Sequence, residues 1–123
     1  MKRDLDLIRS ILKQTEAQPH GFSSDLAEAF PGHTGEEVGF HVHLMGQAGL
    51  LVVADNTTLS HSSPSAMPIS ITWDGYEFLK AAANDNLWAK AKKHFIKPGA
   101  EAAFSVLLAW LKAEAKKEFG LPP

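Results

Sequence analysis

Thr34-Gly35-Glu36-Glu37-Val38-Gly39-Phe40-His41-Val42-His43-Leu44-Met45-Gly46-Gln47-Ala48-Gly49-Leu50-Leu51 decides how this chain reads. Thr34 with Glu37 three residues on has the spacing of a capping box, in which each side chain satisfies a backbone N–H of the opening turn. Val38, His41 or Val42, Met45 and Ala48 recur at helical spacing, and Gly49 stands where helices end with a left-handed residue. A helix from Thr34 to about Ala48 follows. Gly39 and Gly46 are unusual inside it, because each costs up to about 1 kcal/mol against alanine. Seven apart, they share a face; they permit close approach of another backbone or mark a weak helix.

Working outward, Leu50–Ala54 is a short apolar strand and Met67–Thr72 a second one. Pro68 lacks an N–H and places that second strand at an edge. Residues 55–66 between them are polar and read as a mobile, solvated loop. Thr72 can cap a helix from Trp73 to Ala83, with Tyr76, Leu79 and Ala83 turned inward. Upstream, residues 3–16 carry a stripe of Leu5, Ile8, Ile11, Leu12 and Thr15, with Leu7 at its edge. A short helix from Asp25 to Phe30 precedes the Pro31-Gly32 turn. Two further helices are expected from Leu87 to Ile96 and from Glu101 to Phe119, separated by Pro98-Gly99.

The expected fold is therefore mainly α within an α+β class. It is a winged helix-turn-helix with a β-hairpin wing and two additional C-terminal helices. Residues 1–85 form the winged-helix-like domain, and residues 86–123 a helical extension packed on it as one globular unit. At 123 residues with 45% hydrophobic content, the chain is long enough for a core without disulfides. It has no cysteine, no apolar run of membrane-spanning length and no secretion signal in its opening residues, so a cytoplasmic location is expected.

Charge conflicts with the fold. Residues 14–79 contain no lysine or arginine and eight carboxylates: Glu16, Asp25, Glu28, Glu36, Glu37, Asp55, Asp74 and Glu77. DNA affinity comes largely from cations meeting phosphates, and here the helix that would enter the groove opens with Glu36-Glu37. All twelve basic residues lie outside this stretch. Arg3, Arg9 and the cluster Lys90, Lys92, Lys93 and Lys97 are the cations left for an alternative mode of DNA contact. A solvated helix face explains the lysine cluster more simply.

His41 and His43 form a His-x-His pair, but on a helix these positions point about 200° apart and cannot share a metal. His41 is expected half-buried and hydrogen-bonded, with Glu37 as its ion-pair partner. Asp55, Ser60 and His61 lack the sequence context of a catalytic triad. No cofactor, metal or enzymatic activity is expected.

The blocks Met1-Lys2-Arg3-Asp4-Leu5-Asp6-Leu7-Ile8-Arg9, Glu36–Met45 running into Ala48–Leu51, Ile71–Leu79 and Asn86-Leu87-Trp88 resemble, in that order, a family of short proteins of unknown function common in bacterial phages, prophages and plasmids. The resemblance implies a winged-helix-like fold and carries no established catalytic residues. Ala48-Gly49-Leu50-Leu51 and Ile71-Thr72-x-x-Gly75-x-x-x-Leu79 are also similar to patterns of winged-helix transcription regulators. This chain departs from the DNA-binding members in lacking Arg and Lys on the third expected helix and wing.

Two functions are thus expected in competition. In the first, a phage-type, non-enzymatic protein binds another protein through Asp25, Glu28, Glu36, Glu37, His41, His43 and Gln47. The partner is a basic, nucleic-acid-handling host protein, and inhibition of a host-defence complex, as by an anti-CRISPR-like protein, fits. In the alternative, a transcriptional regulator dimerises through Phe104, Leu107, Leu108, Trp110 and Leu111 and contacts DNA with the cations named above.

Overall fold

A computed structural model describes residues 1–18, 30–60, 62–97, 100–101 and 104–118. Across them the chain is mainly helical with a smaller β component. The order is α1 (Leu5–Ala17), α2 (Gly35–Gln47), β1 (Leu51–Asp55), β2 (Ala66–Ile71), α3 (Trp73–Ala82), α4 (Asp85–Phe95), β3 (Ile96–Lys97), β4 (Ala100–Glu101) and α5 (Phe104–Glu118). It divides into two compact units, residues 1–76 and 77–123. The helix expected over Asp25–Phe30 lies almost wholly outside the described residues; Phe30 itself is buried beside a turn.

In the first unit, α1 starts where extended Asp4 accepts the Leu7 N–H at 3.2 Å. Its expected stripe of Leu5, Ile8, Ile11, Leu12 and Thr15 is buried, and so is Leu7, which the spacing had put at the edge. The buried Thr15 hydroxyl donates to the Ile11 carbonyl at 2.8 Å, so its polarity is satisfied within the helix.

Helix α2 has the cap its sequence encodes. The Thr34 hydroxyl accepts the Glu37 N–H at 3.1 Å, and the Thr34 N–H reaches the Glu37 carboxylate in return. The helix ends in a Schellman turn. Gly49 takes φ +77°, Leu50 N–H donates to Met45 O at 2.9 Å, and Gly49 N–H donates to Gly46 O at 3.2 Å.

Gly39 and Gly46 face the hairpin, and the close approach they allow is to side chains. A Cβ at Gly39 would strike the Ser65 hydroxyl, and one at Gly46 would lie 2.6 Å from a Val53 methyl. The helix therefore rests on β1 at Val53 and on the end of the loop at Ser65, at the two positions with no side chain to hold it off.

β1 and β2 form an antiparallel hairpin with a register shift between Val52 and Val53: Val52 pairs with Ser70, but Val53 pairs with Pro68. Ile69 is the extra residue. A single inserted residue reverses which side chains face inward. Ile71 is buried on one side of the bulge, Pro68 and Ala66 on the other, and Ile69 is 40% exposed. Proline, with no N–H to give the ladder, sits where the ladder is already broken.

The connecting loop is tethered at described residues. Thr57 Oγ1 donates to Ser65 O at 3.0 Å and accepts the Ser65 N–H at 2.9 Å, and Asn56 N–H donates to Ser65 O at 3.1 Å. Farther along, Ser62 and Ser63 donate hydroxyls to the Glu36 carboxylate.

Thr72 joins hairpin to helix. Its N–H donates to Leu50 O at 3.1 Å, its hydroxyl donates to Gly49 O, and that same oxygen accepts the Gly75 N–H at 3.0 Å to cap α3. The opening turn of α3 lies so near the Leu50 carbonyl that only glycine fits at position 75. Tyr76, expected inward, is 48% exposed. Glycine has taken the close approach, and the phenol stands off it.

In the second unit, Asn84 caps α4 by accepting the Asn86 and Leu87 N–H groups at 2.9 and 3.1 Å, so this break in the chain is also a start signal. Phe78 is fully buried, edge-on to Trp88 with 6.2 Å between ring centroids and 5.1 Å from Phe104. Leu87, Ala91, Leu107 and Leu111 are buried in the same unit. Residue 101 belongs to the β3–β4 ribbon, in which Lys97 pairs with Ala100 and Ile96 with Glu101, so α5 begins at Phe104 and not at Glu101. The Pro98-Gly99 step lies outside the described residues.

Candidate functional site

Because 3.6 residues make a turn, Glu36, Phe40, His43 and Gln47 fall on one stripe of α2, at i, i+4, i+7 and i+11. Val38, His41, Val42 and Met45 fall on the other side and are buried. Glu36 and Gln47 are exposed, while Phe40 and His43 are half-buried, their rings stacked at 6.4 Å with 27° between planes. Phe40 belongs to this surface although charge-based reading did not select it. Its spacing from Glu36 and Gln47 was the available signal.

The residues expected to contact a partner separate into groups. Glu36, His43 and Gln47 share the outward stripe. Glu37 lies beside it and pairs with His33 Nδ1 at 3.1 Å, not with His41 as the four-residue spacing suggested. His41 is 1% exposed and held at both ring nitrogens, so it supports the helix from within and leaves the contact set. Asp25 and Glu28 lie outside the described residues.

Two carboxylates near this face are held ionised. A hydrogen bond from His33 leads the causes that bring Glu37 below its ordinary value, helped by the Thr34 N–H and opposed by desolvation. Asp55 is lowered by hydrogen bonding to Thr57, whose N–H lies 2.8 Å from Oδ1, and by the charge of nearby His43. Glu36 accepts the Ser62 and Ser63 hydroxyls. With no Lys or Arg anywhere from 14 to 79, this helix face presents the Glu36 and Glu37 carboxylates, the Phe40 and His43 rings and the Gln47 amide.

The cations of the alternative reading are placed differently. Arg3 is exposed at the N-terminus and Arg9 half-buried on α1. Lys90, Lys92 and Lys93 are exposed on α4, and the Lys97 side chain lies outside the described residues. Among the residues considered for self-association, Leu107 and Leu111 are buried in the chain's own interior, whereas Phe104, Leu108 and Trp110 keep partial exposure.

Among the described residues, no group of three His, Asp or Glu stands close enough to hold a metal ion. His41 and His43 point to opposite sides of α2, as a two-residue helical step requires. No helix among the described residues is long and apolar enough to cross a membrane.

The geometry defines a class: a small, mainly helical α+β protein whose hairpin-braced helix shows an acidic, partly aromatic face. Comparison with known proteins narrows it. The chain belongs to the family described as Hypothetical protein (DUF2513), which matches residues 2–101. It is similar to a Haemophilus influenzae (strain ATCC 51907 / DSM 11121 / KW20 / Rd) protein named "Uncharacterized protein", at 39% identity over 92 residues, 75% of this chain and 76% of the relative. No solved structure matches the chain significantly.

Proposed function

We propose that the protein is a non-enzymatic, phage- or prophage-type binding protein that uses a winged-helix-like scaffold to engage another protein. In this reading α2 corresponds to the helix that would enter DNA and the β1–β2 hairpin to the wing. The partner is a basic protein that handles nucleic acid, and the α2 face occupies the place of phosphate on it. Inhibition of a host-defence complex is the biological outcome this chemistry suits. The contact set is Glu36, Glu37, Phe40, His43 and Gln47.

One observation carries the reading: the exposed stripe of α2 sits inside 66 residues with no lysine or arginine. A surface that bound duplex would need cations to displace the counterions condensed on DNA. This one would repel the backbone and attract a protein groove built to hold it.

The test pairs two measurements. Titration with duplex DNA near physiological ionic strength should give no binding. Capture from nuclease-treated host lysate should retain a basic nucleic-acid-binding protein, released by salt and lost with the Glu36→Lys/Gln47→Lys double variant. Salt-dependent duplex binding by the unaltered protein would overturn the reading.

A second reading, a DNA-binding regulator dimerising through α5, draws support from the exposure of Lys90, Lys92 and Lys93 on one helix. It requires a duplex affinity that falls steeply with salt and is weakened when these lysines are replaced.

A further inference from the structure

The first turn of α3 presents two large aromatic side chains to solvent: Trp73 is 80% exposed and Tyr76 48% exposed. Three residues apart, they stand one turn above one another on the same side of the helix. Asp74 is exposed on the flank of Trp73 opposite Tyr76, and no hydrogen bond or ion pair engages its carboxylate among the described residues. The inward side of this turn is already filled by Gly75 against the Leu50 carbonyl. Neither ring contributes to that packing.

The turn is also rigidly placed. Thr72 caps it through the Gly75 N–H and is itself bonded to Gly49 O and Leu50 O, so the rings project from a fixed support. Exposed Trp and Tyr on a fixed support are the residue types that dominate binding energy in protein interfaces.

We propose that Trp73 and Tyr76, with Asp74 beside them, dock an arginine-bearing segment of a protein partner. Charge decides the occupant. A guanidinium stacks on an indole or phenol face and forks its N–H groups to a carboxylate, which an ammonium does less well. Stacked nucleobases would bring phosphates against two carboxylates, Asp74 and Glu77, one and four residues from Trp73, with Lys80 the single cation within four residues of Tyr76. The inference rests on the reading of the partner as a basic protein and assigns it a second contact, separate from the α2 stripe.

The experiment uses the full chain and a fluorescently labelled oligo-arginine peptide, followed by anisotropy near physiological salt. Oligo-lysine of equal length, single-stranded DNA and anionic vesicles are the comparison ligands. Trp73→Ala should weaken the arginine peptide about twofold to thirtyfold, the range a cation–π contact spans from exposed to desolvated settings. Tyr76→Ala and Asp74→Asn should give smaller losses, and oligo-lysine should bind more weakly than oligo-arginine. Circular dichroism confirms folding of each variant.

Equal binding by Trp73→Ala and the unaltered protein overturns the proposal, as does the absence of arginine-peptide binding or Trp73-dependent binding of DNA or vesicles. Loss of the peptide with Glu36→Gln but not with Trp73→Ala overturns this surface while supporting the α2 contact. Loss with Trp73→Ala but not with Glu36→Gln supports this surface and counts against α2.

Discussion

The Nε2 of His41 accepts the backbone N–H of Asp4 at 2.8 Å, joining residues 37 positions apart. That bond fixes the tautomer. With Nε2 accepting, Nδ1 must carry the proton, which it donates to the Glu37 carbonyl at 2.8 Å. One side chain thus ties the start of α1 to the first turns of α2. Replacing it with alanine leaves a cavity and an unpaired Asp4 N–H, so His41→Ala should lose about 2–4 kcal/mol. Urea denaturation measures this; a loss below about 1 kcal/mol would mean that the bond is incidental.

The three close-packed glycines should rank by what each would strike. Alanine at any of them gains helix propensity of up to about 1 kcal/mol. At Gly75 the obstacle is the Leu50 backbone carbonyl, which cannot turn aside, and the net loss should reach about 2 kcal/mol or more. At Gly46 it is a Val53 methyl, with a smaller loss. At Gly39 it is the Ser65 hydroxyl, which can rotate, so Gly39→Ala should be nearest neutral. Melting temperatures in any other order would contradict this account of how α2 and α3 sit on the hairpin.

Acid should remove the Glu37 contribution. Its folded-state value lies below the ordinary 4.5, so the stabilisation is fully present above that value and is lost as pH falls through the lower, folded-state one. An NMR titration of the Glu37 carboxyl should give a midpoint below 4.5 in the unaltered protein and a higher one in His33→Ala. An identical midpoint in both would assign the shift elsewhere.

Thr72→Ala removes the cap of α3 and the hydroxyl donor to Gly49 O together. A lost N-cap costs about 0.5–2 kcal/mol. Thr72→Ser keeps the oxygen and should recover most of it. Denaturation midpoints of the two variants decide the matter, and equal midpoints would show that the methyl group matters more than the cap.

Much of the fold is legible locally. Thr34 and Glu37 announce the start of α2, Gly49 its end, Thr72 the start of α3 and Pro68 an edge strand, because capping and turn chemistry act within a few residues. Long-range geometry is not legible in this way. Nothing near His41 shows that its partner is Asp4, and a four-residue spacing fits Glu37–His41 and Glu37–His33 equally, although only the second ion pair forms. The bulge at Ile69 reverses the inward pattern of β2, which strict alternation cannot anticipate. Tyr76 reads as apolar and periodic, yet the glycine beside it takes the packing position. At the candidate site, Glu36, His43 and Gln47 were legible from charge and polarity, whereas Phe40 became visible as a surface residue only once the helix phase was fixed.

The Thr57–Ser65 clasp gives the hairpin a consequence for engineering. Since strand register is secured below the clasp, the tip beyond it around the fully exposed Leu59 serves as an insertion port. A reporter peptide spliced there lengthens a loop that is already closed, at an entropic expense of only a few tenths of a kcal/mol to about 1 kcal/mol.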